Sequence, residues 1–72
     1  MINKIYPAII IRRKEVEVIT GLSRSTIYDR MNSKSPRYDK TFPTPISLGA
    51  RAVGWYETDI LNWLASREEV RP

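Results

Sequence analysis

The sequence predicts one small α+β domain, mainly helical, on three observations. Two short stretches of helical periodicity, about residues 13–19 and 24–32, are separated only by Thr20-Gly21-Leu22-Ser23. Two alternating runs, residues 46–48 and 53–56, flank a Gly-containing turn in the manner of a β-hairpin. A third apolar stripe, Ile60, Trp63 and Leu64, follows at i, i+3, i+4. With 72 residues and 42% hydrophobic content, the chain suits a single folded domain rather than a disordered tail. At this size the net stability is expected to be only ~3–5 kcal/mol, so the core side chains must pack well.

Residues 1–8 read as a flexible N-terminus, 9–67 as the domain and 68–72 as a C-terminal tail. Ile9, Ile10 and Ile11 are β-branched and suit a short strand or an extended lead-in. The first helix runs from about Arg13 to Ile19, with Val16 and Ile19 on one face and Ile11 placed to staple onto Val16. Arg12 is a poor cap, but Gly21 can take the left-handed conformation that ends a helix. Ser23 is a good N-cap for the second helix, and Leu22 and Ile27 have the spacing of a hydrophobic staple. Ile27 and Met31 make a narrow buried stripe; the helix fades at Asn32 and cannot pass Ser35, which precedes Pro36.

Residues 33–45 form a polar connection with three prolines, in which Phe42 is the apolar pin to the core. In the hairpin, Val53 and Trp55 share a face. The last helix spans about Thr58 to Arg67, with Glu57 and Asp59 at the positive end of its dipole and Arg67 at the other. The expected core is Val16, Ile19, Leu22, Ile27, Met31, Phe42, Ile46, Leu48, Val53, Trp55, Ile60, Trp63 and Leu64. Two short helices around a tight Gly turn, the second capped by Ser, are a helix-turn-helix signature. The hairpin then reads as a wing, and the last helix closes the core beneath it.

Composition narrows the chemistry. The chain has no Cys and no His. It therefore lacks disulfides, thiolate zinc sites, cysteine nucleophiles and the commonest general base and transition-metal ligand. Glu57 and Asp59 are two apart and do not face each other on a helix, and no Gly-rich phosphate loop is present. An enzyme is not expected, nor a cofactor or a metal. Trp55 and Trp63 fit strand and helix periods as core residues better than a ligand cage. The longest aliphatic run, Ala8 to Ile11, is far below the roughly 20 residues of a membrane span. No secretory signal is recognisable, and a cytoplasmic location is expected.

Charge is uneven. Residues 24–51 hold Arg24, Arg30, Lys34, Arg37, Lys40 and Arg51 against Asp29 and Asp39, a net +4, whereas residues 52–72 carry a net −2. A basic segment of this kind suits a polyanion such as nucleic acid, although a solvated surface reads the same way from charge alone. On a helix-turn-helix, Arg24, Ser25, Thr26, Tyr28, Asp29 and Arg30 lie on or beside the exposed face of the second helix, whose first turn reads base edges. Arg can bond guanine O6 and N7 together, and Ser and Thr are less selective. Tyr28 suits the sugar-phosphate backbone or a half-buried position, and Thr26, at N3, equally suits a bond back to Ser23. Arg51, at the hairpin turn, is either a wing-tip contact to a phosphate or the minor groove, or simply a solubilising residue. Arg12, Arg13 and Lys14 form a cluster at the start of helix 1 that can grip the backbone or stay solvated.

The segments Lys14-Glu15-Val16, Thr20-Gly21-Leu22-Ser23-Arg24-Ser25-Thr26-Ile27-Tyr28, Phe42-Pro43-Thr44-Pro45-Ile46, Leu48-Gly49, Arg51-Ala52-Val53-Gly54-Trp55 and Asp59-Ile60-Leu61-Asn62-Trp63-Leu64, in that order, resemble the AlpA family. Its members are small phage and prophage DNA-binding regulators with a winged helix-turn-helix of the MerR and excisionase type. The resemblance covers about Ile10 to Arg67. Two departures stand out: Arg13, where the family pattern has an apolar residue, and a long loop, Ser33 to Thr41, that adds Lys34, Arg37, Tyr38 and Lys40.

The resemblance implies a sequence-specific transcriptional regulator of a prophage or mobile element. Residues 24–32 would enter the major groove of double-stranded DNA, and the wing, residues 46–56, would rest on the backbone through Arg51. Neighbouring copies are expected to self-associate on repeated sites, with the Ile9 to Ile11 segment, the long loop and the last helix as candidate contacts. An integrase or RNA polymerase is a further expected partner, and the bound protein would be nucleoid-associated. One alternative is an excisionase-like recombination directionality factor that bends DNA for an integrase. An alternative of another class is a protein-interaction module or inhibitor without DNA binding, against which the basic second helix argues.

Overall fold

The computed structural model describes residues 8–70. The expected flexible N-terminus up to residue 7 and the last two residues of the expected tail lie outside the described residues. The elements run β1 (Ile10–Ile11), α1 (Arg13–Thr20), α2 (Arg24–Met31), β2 (Ile46–Gly49), β3 (Ala52–Tyr56) and α3 (Glu57–Ala65). The strands form one antiparallel sheet in the order β1-β3-β2, with Ile11 opposite Trp55 and Ile46 opposite Gly54. The architecture is a winged helix-turn-helix.

Local chemistry accounts for the two-helix unit. Arg12 contributes no side-chain acceptor to α1; instead its backbone N–H donates to the Glu15 carboxylate at 2.7 Å. That supplies one half of a capping box. α1 ends at Gly21, in the left-handed region at φ 73°, whose N–H donates to the Glu17 carbonyl at 2.8 Å. The Thr20 hydroxyl donates to the Val16 carbonyl at 2.7 Å and accepts from the Leu22 N–H at 3.2 Å, closing the turn. Ser23 then caps α2 by accepting from the Thr26 N–H at 3.2 Å.

The core consists of Ile11, Val16, Ile27, Phe42, Trp55, Ile60 and Trp63, with Ile19, Leu22, Met31 and Leu64 packed half-buried against it. Three expected core residues lie outside it: Ile46 is half-buried, Leu48 is 45% and Val53 43% exposed. Ser47 pairs with Val53 and Gly49 with Ala52, so Leu48 is the extra residue of an irregularity in β2 and drops out of the alternation. Val53 lies one strand repeat nearer the turn than Trp55, in the part of the hairpin that the helices do not cover. Ile11, expected in a short strand or lead-in and as a staple onto Val16 but not in the core, is buried because β1 joins the sheet. It is therefore unavailable for contacts between copies, whereas Ile9 is 52% exposed.

Gly54 makes that sheet possible. A Cβ there would stand 2.7 Å from Ile10 Cγ2 and 3.0 Å from the Ile11 carbonyl oxygen.

The 33–45 connection is pinned as expected. Phe42 meets Trp63 edge to face, with centroids 4.9 Å apart and rings at 72°. Trp55 Nε1 donates to the Pro43 carbonyl at 3.1 Å, and Trp63 Nε1 donates to Asp39 Oδ2 at 3.2 Å. Both tryptophans are thus core residues with their polar edges satisfied by this loop. Asp39 also accepts from the Thr41 hydroxyl at 2.5 Å and the Thr41 N–H at 2.8 Å, and pairs with Arg67 at 3.2 Å. The Arg67 guanidinium lies over the Trp63 ring at 4.5 Å. Foremost through the Thr41 hydroxyl, these donors hold the Asp39 carboxyl below the usual carboxylate range, against the opposing effect of burial.

Candidate nucleic-acid interface

α2 begins with the exposed side chains of Arg24 and Ser25. Arg24 and Tyr28 are i, i+4, and the guanidinium carbon lies 5.7 Å from the Tyr28 ring centre. This stacking keeps the charge of Arg24 at the surface and limits where the side chain can point. Ser25 Oγ is 3.3 Å from Ser23 Oγ. Thr26 is half-buried, and its hydroxyl accepts from the Ser23 hydroxyl at 2.9 Å, so it serves the cap through the Ser23 side chain.

Tyr28 opens onto a groove of about 300 Å³ lined by Arg12, Arg13, Lys14, Tyr28, Arg51 and Val53. The start of α1, the middle of α2 and the wing turn therefore share one concave face. Four of its six lining residues are cationic and none is acidic. Arg13 is partly neutralised by its ion pair with Glu17, while Arg12, Lys14 and Arg51 are exposed. Cations gathered on a concave surface reinforce one another's potential and attract a polyanion.

Of the residues singled out from the sequence, Arg12, Lys14, Tyr28 and Arg51 converge directly on the groove, and Arg24 joins through Tyr28. Asp29 and Arg30 face another way. Asp29 accepts from the Ser35 hydroxyl at 3.4 Å and lies 3.9 Å from the Arg37 guanidinium; Arg30 donates to the Arg37 carbonyl at 3.4 Å. Both tie α2 to the loop that follows it. Val53 is the groove residue that the sequence reading assigned to the core. Strand alternation marks which face a residue is on, but not how far along it the covering helices reach. Among the described residues, no group of three or more His, Cys, Asp or Glu is placed to hold a metal ion, and no helix is long and apolar enough to cross a membrane.

Comparison with known proteins adds an independent line. The family model of the prophage CP4-57 regulatory protein (AlpA) matches residues 9–68. The chain is 52% identical over 58 residues to the DNA-binding transcriptional activator AlpA of Escherichia coli (strain K12), covering 81% of this chain and 83% of that protein. It is also 37% identical over 57 residues to the uncharacterized protein ORF88 of Enterobacteria phage P4, covering 79% of this chain and 58% of that protein. No solved structure shows significant similarity to the chain.

Proposed function

From the premise that this chain belongs to the AlpA family of prophage regulatory proteins, we propose that it is a sequence-specific DNA-binding regulator of transcription from a prophage or related mobile element. α2 enters the major groove with Arg24 and Ser25 at base edges, Tyr28 lies against the sugar-phosphate backbone, and Arg51 on the wing contacts a phosphate. Arg12 and Lys14 contact the backbone at the start of α1. The observation that carries this reading is the groove itself: cations from α1 and the wing flank the exposed face of α2, the arrangement a winged helix needs to straddle a duplex groove. The name of the E. coli relative, a transcriptional activator, favours regulation of transcription over direction of excision.

The test separates base reading from backbone contact. A cognate site is first selected from genomic fragments; affinity is then measured on cognate and random duplexes at several salt concentrations. Arg24→Ala should cost about 1–3 kcal/mol on the cognate site and relax preference at one position. Arg51→Ala should weaken both duplexes alike and lower the salt slope by about 1. An Arg24→Ala variant that binds the cognate site as tightly as the parent would place α2 outside the groove. An unchanged slope for Arg51→Ala would turn the wing away from the duplex.

A further inference from the structure

We propose that the loop after α2, residues 33–41, is a second backbone clamp that grips DNA phosphates beyond the C-terminal end of the recognition helix. The inference rests on the DNA-binding reading above and adds a contact to it.

The first support is charge. Lys34, Arg37 and Lys40 all occupy exposed positions of the loop, with Tyr38, 46% exposed, among them. The nearby carboxylates are turned to internal use. Asp39 is engaged by Thr41, Trp63 and Arg67, and Asp29 by Ser35. Arg37 lies 3.9 Å from Asp29 with 67% of its side chain exposed, a loose pairing that a phosphate can replace.

The second support is order. Backbone N–H groups donate to carbonyls from Ser35 to Asn32 at 2.9 Å, from Tyr38 to Ser35 at 3.1 Å and from Phe42 to Asp39 at 3.0 Å. The Asp39 N–H reaches back to the Arg30 carbonyl of α2 at 2.9 Å, and its carboxylate reaches α3 and Arg67. The loop is thus anchored at both ends. Cations on a fixed backbone lose less entropy on binding than cations on a slack one.

The third support is position. α2 has eight residues and is therefore about 12 Å long. With Arg24 at the base edges, a helix of this length inclined across a groove about 12 Å wide and about 8.5 Å deep brings its other end to the rim, where the phosphates are. Residue 33 follows directly from that end.

The experiment uses the full chain and a short random-sequence duplex, because a phosphate contact is independent of sequence. The variant Lys34→Ala/Arg37→Ala/Lys40→Ala changes only exposed side chains. It is expected to bind more weakly at low salt, with a salt slope lower by about 2–3. Asp39→Asn distinguishes contact from long-range attraction. Removing a negative charge would by itself tighten binding, whereas loosening the anchored loop weakens it. Weaker binding is expected, with circular dichroism showing the fold retained. A triple variant with the parent's slope overturns the proposal, as does a folded Asp39→Asn variant that binds more tightly. A triple variant that binds DNA like the parent but loses regulation in a reporter assay reassigns the loop to a protein partner, which also overturns it. Failure of the parent to bind the duplex at low salt rejects the DNA-binding reading itself, a result distinct from these.

Discussion

Gly54 and Tyr28 show how much one residue can decide. At Gly54, a methyl group would meet the Ile10 side chain at 2.7 Å and the Ile11 carbonyl oxygen at 3.0 Å. A backbone carbonyl cannot swing aside as a side-chain tip can. Gly54→Ala should therefore cost about 1–3 kcal/mol, the range of an overpacked core site. The measurement is urea unfolding followed by tryptophan fluorescence, with the midpoint lowered and the slope unchanged. Tyr28 acts differently, through the face of its ring. It lies half in the groove and carries Arg24 at 5.7 Å. Tyr28→Phe keeps that face and should preserve the ratio of cognate to random affinity, while Tyr28→Ala should lower it. Equal loss in both variants would assign the work to the hydroxyl.

The same dependence on small groups appears in the elements. α1 and α2 have eight residues each, a length at which an isolated helix is marginal. Their ends are therefore made by specific bonds: Glu15 at the start of α1, Gly21 at its end and Ser23 at the start of α2. Ser23→Ala removes the acceptor for the Thr26 N–H and the donor to the Thr26 hydroxyl. The expected loss is about 1 kcal/mol. In a chain of this size that lowers the thermal midpoint by roughly 4–8 °C, which calorimetry resolves. The wing, by contrast, is held mainly by strand pairing and by Trp55, because Leu48 and Val53 in its outer half are only partly covered.

Across the whole molecule, Asp39 joins what the chain order separates. Its carboxylate links the loop after α2 to Trp63 in α3 and to Arg67 beyond it. Because its pKa is lowered in the folded state, the stability it contributes is present above the unfolded carboxylate's pKa. That stability is lost as pH falls through the lower folded value. Asp39→Asn should accordingly be less stable than the parent at neutral pH and show a flatter fall in stability on acidification. Chemical denaturation at a series of pH values, with the buried tryptophans as the probe, checks both. Parallel stability profiles for parent and variant would remove Asp39 from the acid response.

The sequence by itself determined the helices, their turn and the hairpin, because those depend on local chemistry. Gly at a left-handed position, Ser at a cap, apolar residues at helical spacing and alternation around a turn each act over a few residues. It also carried the AlpA resemblance in its ordered motifs, and it singled out Arg24, Tyr28, Arg51, Arg12 and Lys14. Tertiary structure decided what depends on distance along an element or across the chain. It drew Ile11 into the core by pairing β1 with β3, and left Leu48 and Val53 exposed where the hairpin outruns the helices. It turned Asp29 and Arg30 toward the loop, and used Asp39 and Arg67 to anchor that loop to α3. Such contacts join residues as far apart as 39 and 67, and hydrophobic period carries no information about them. Periodicity reports which way a side chain faces; only the packed chain decides what stands opposite.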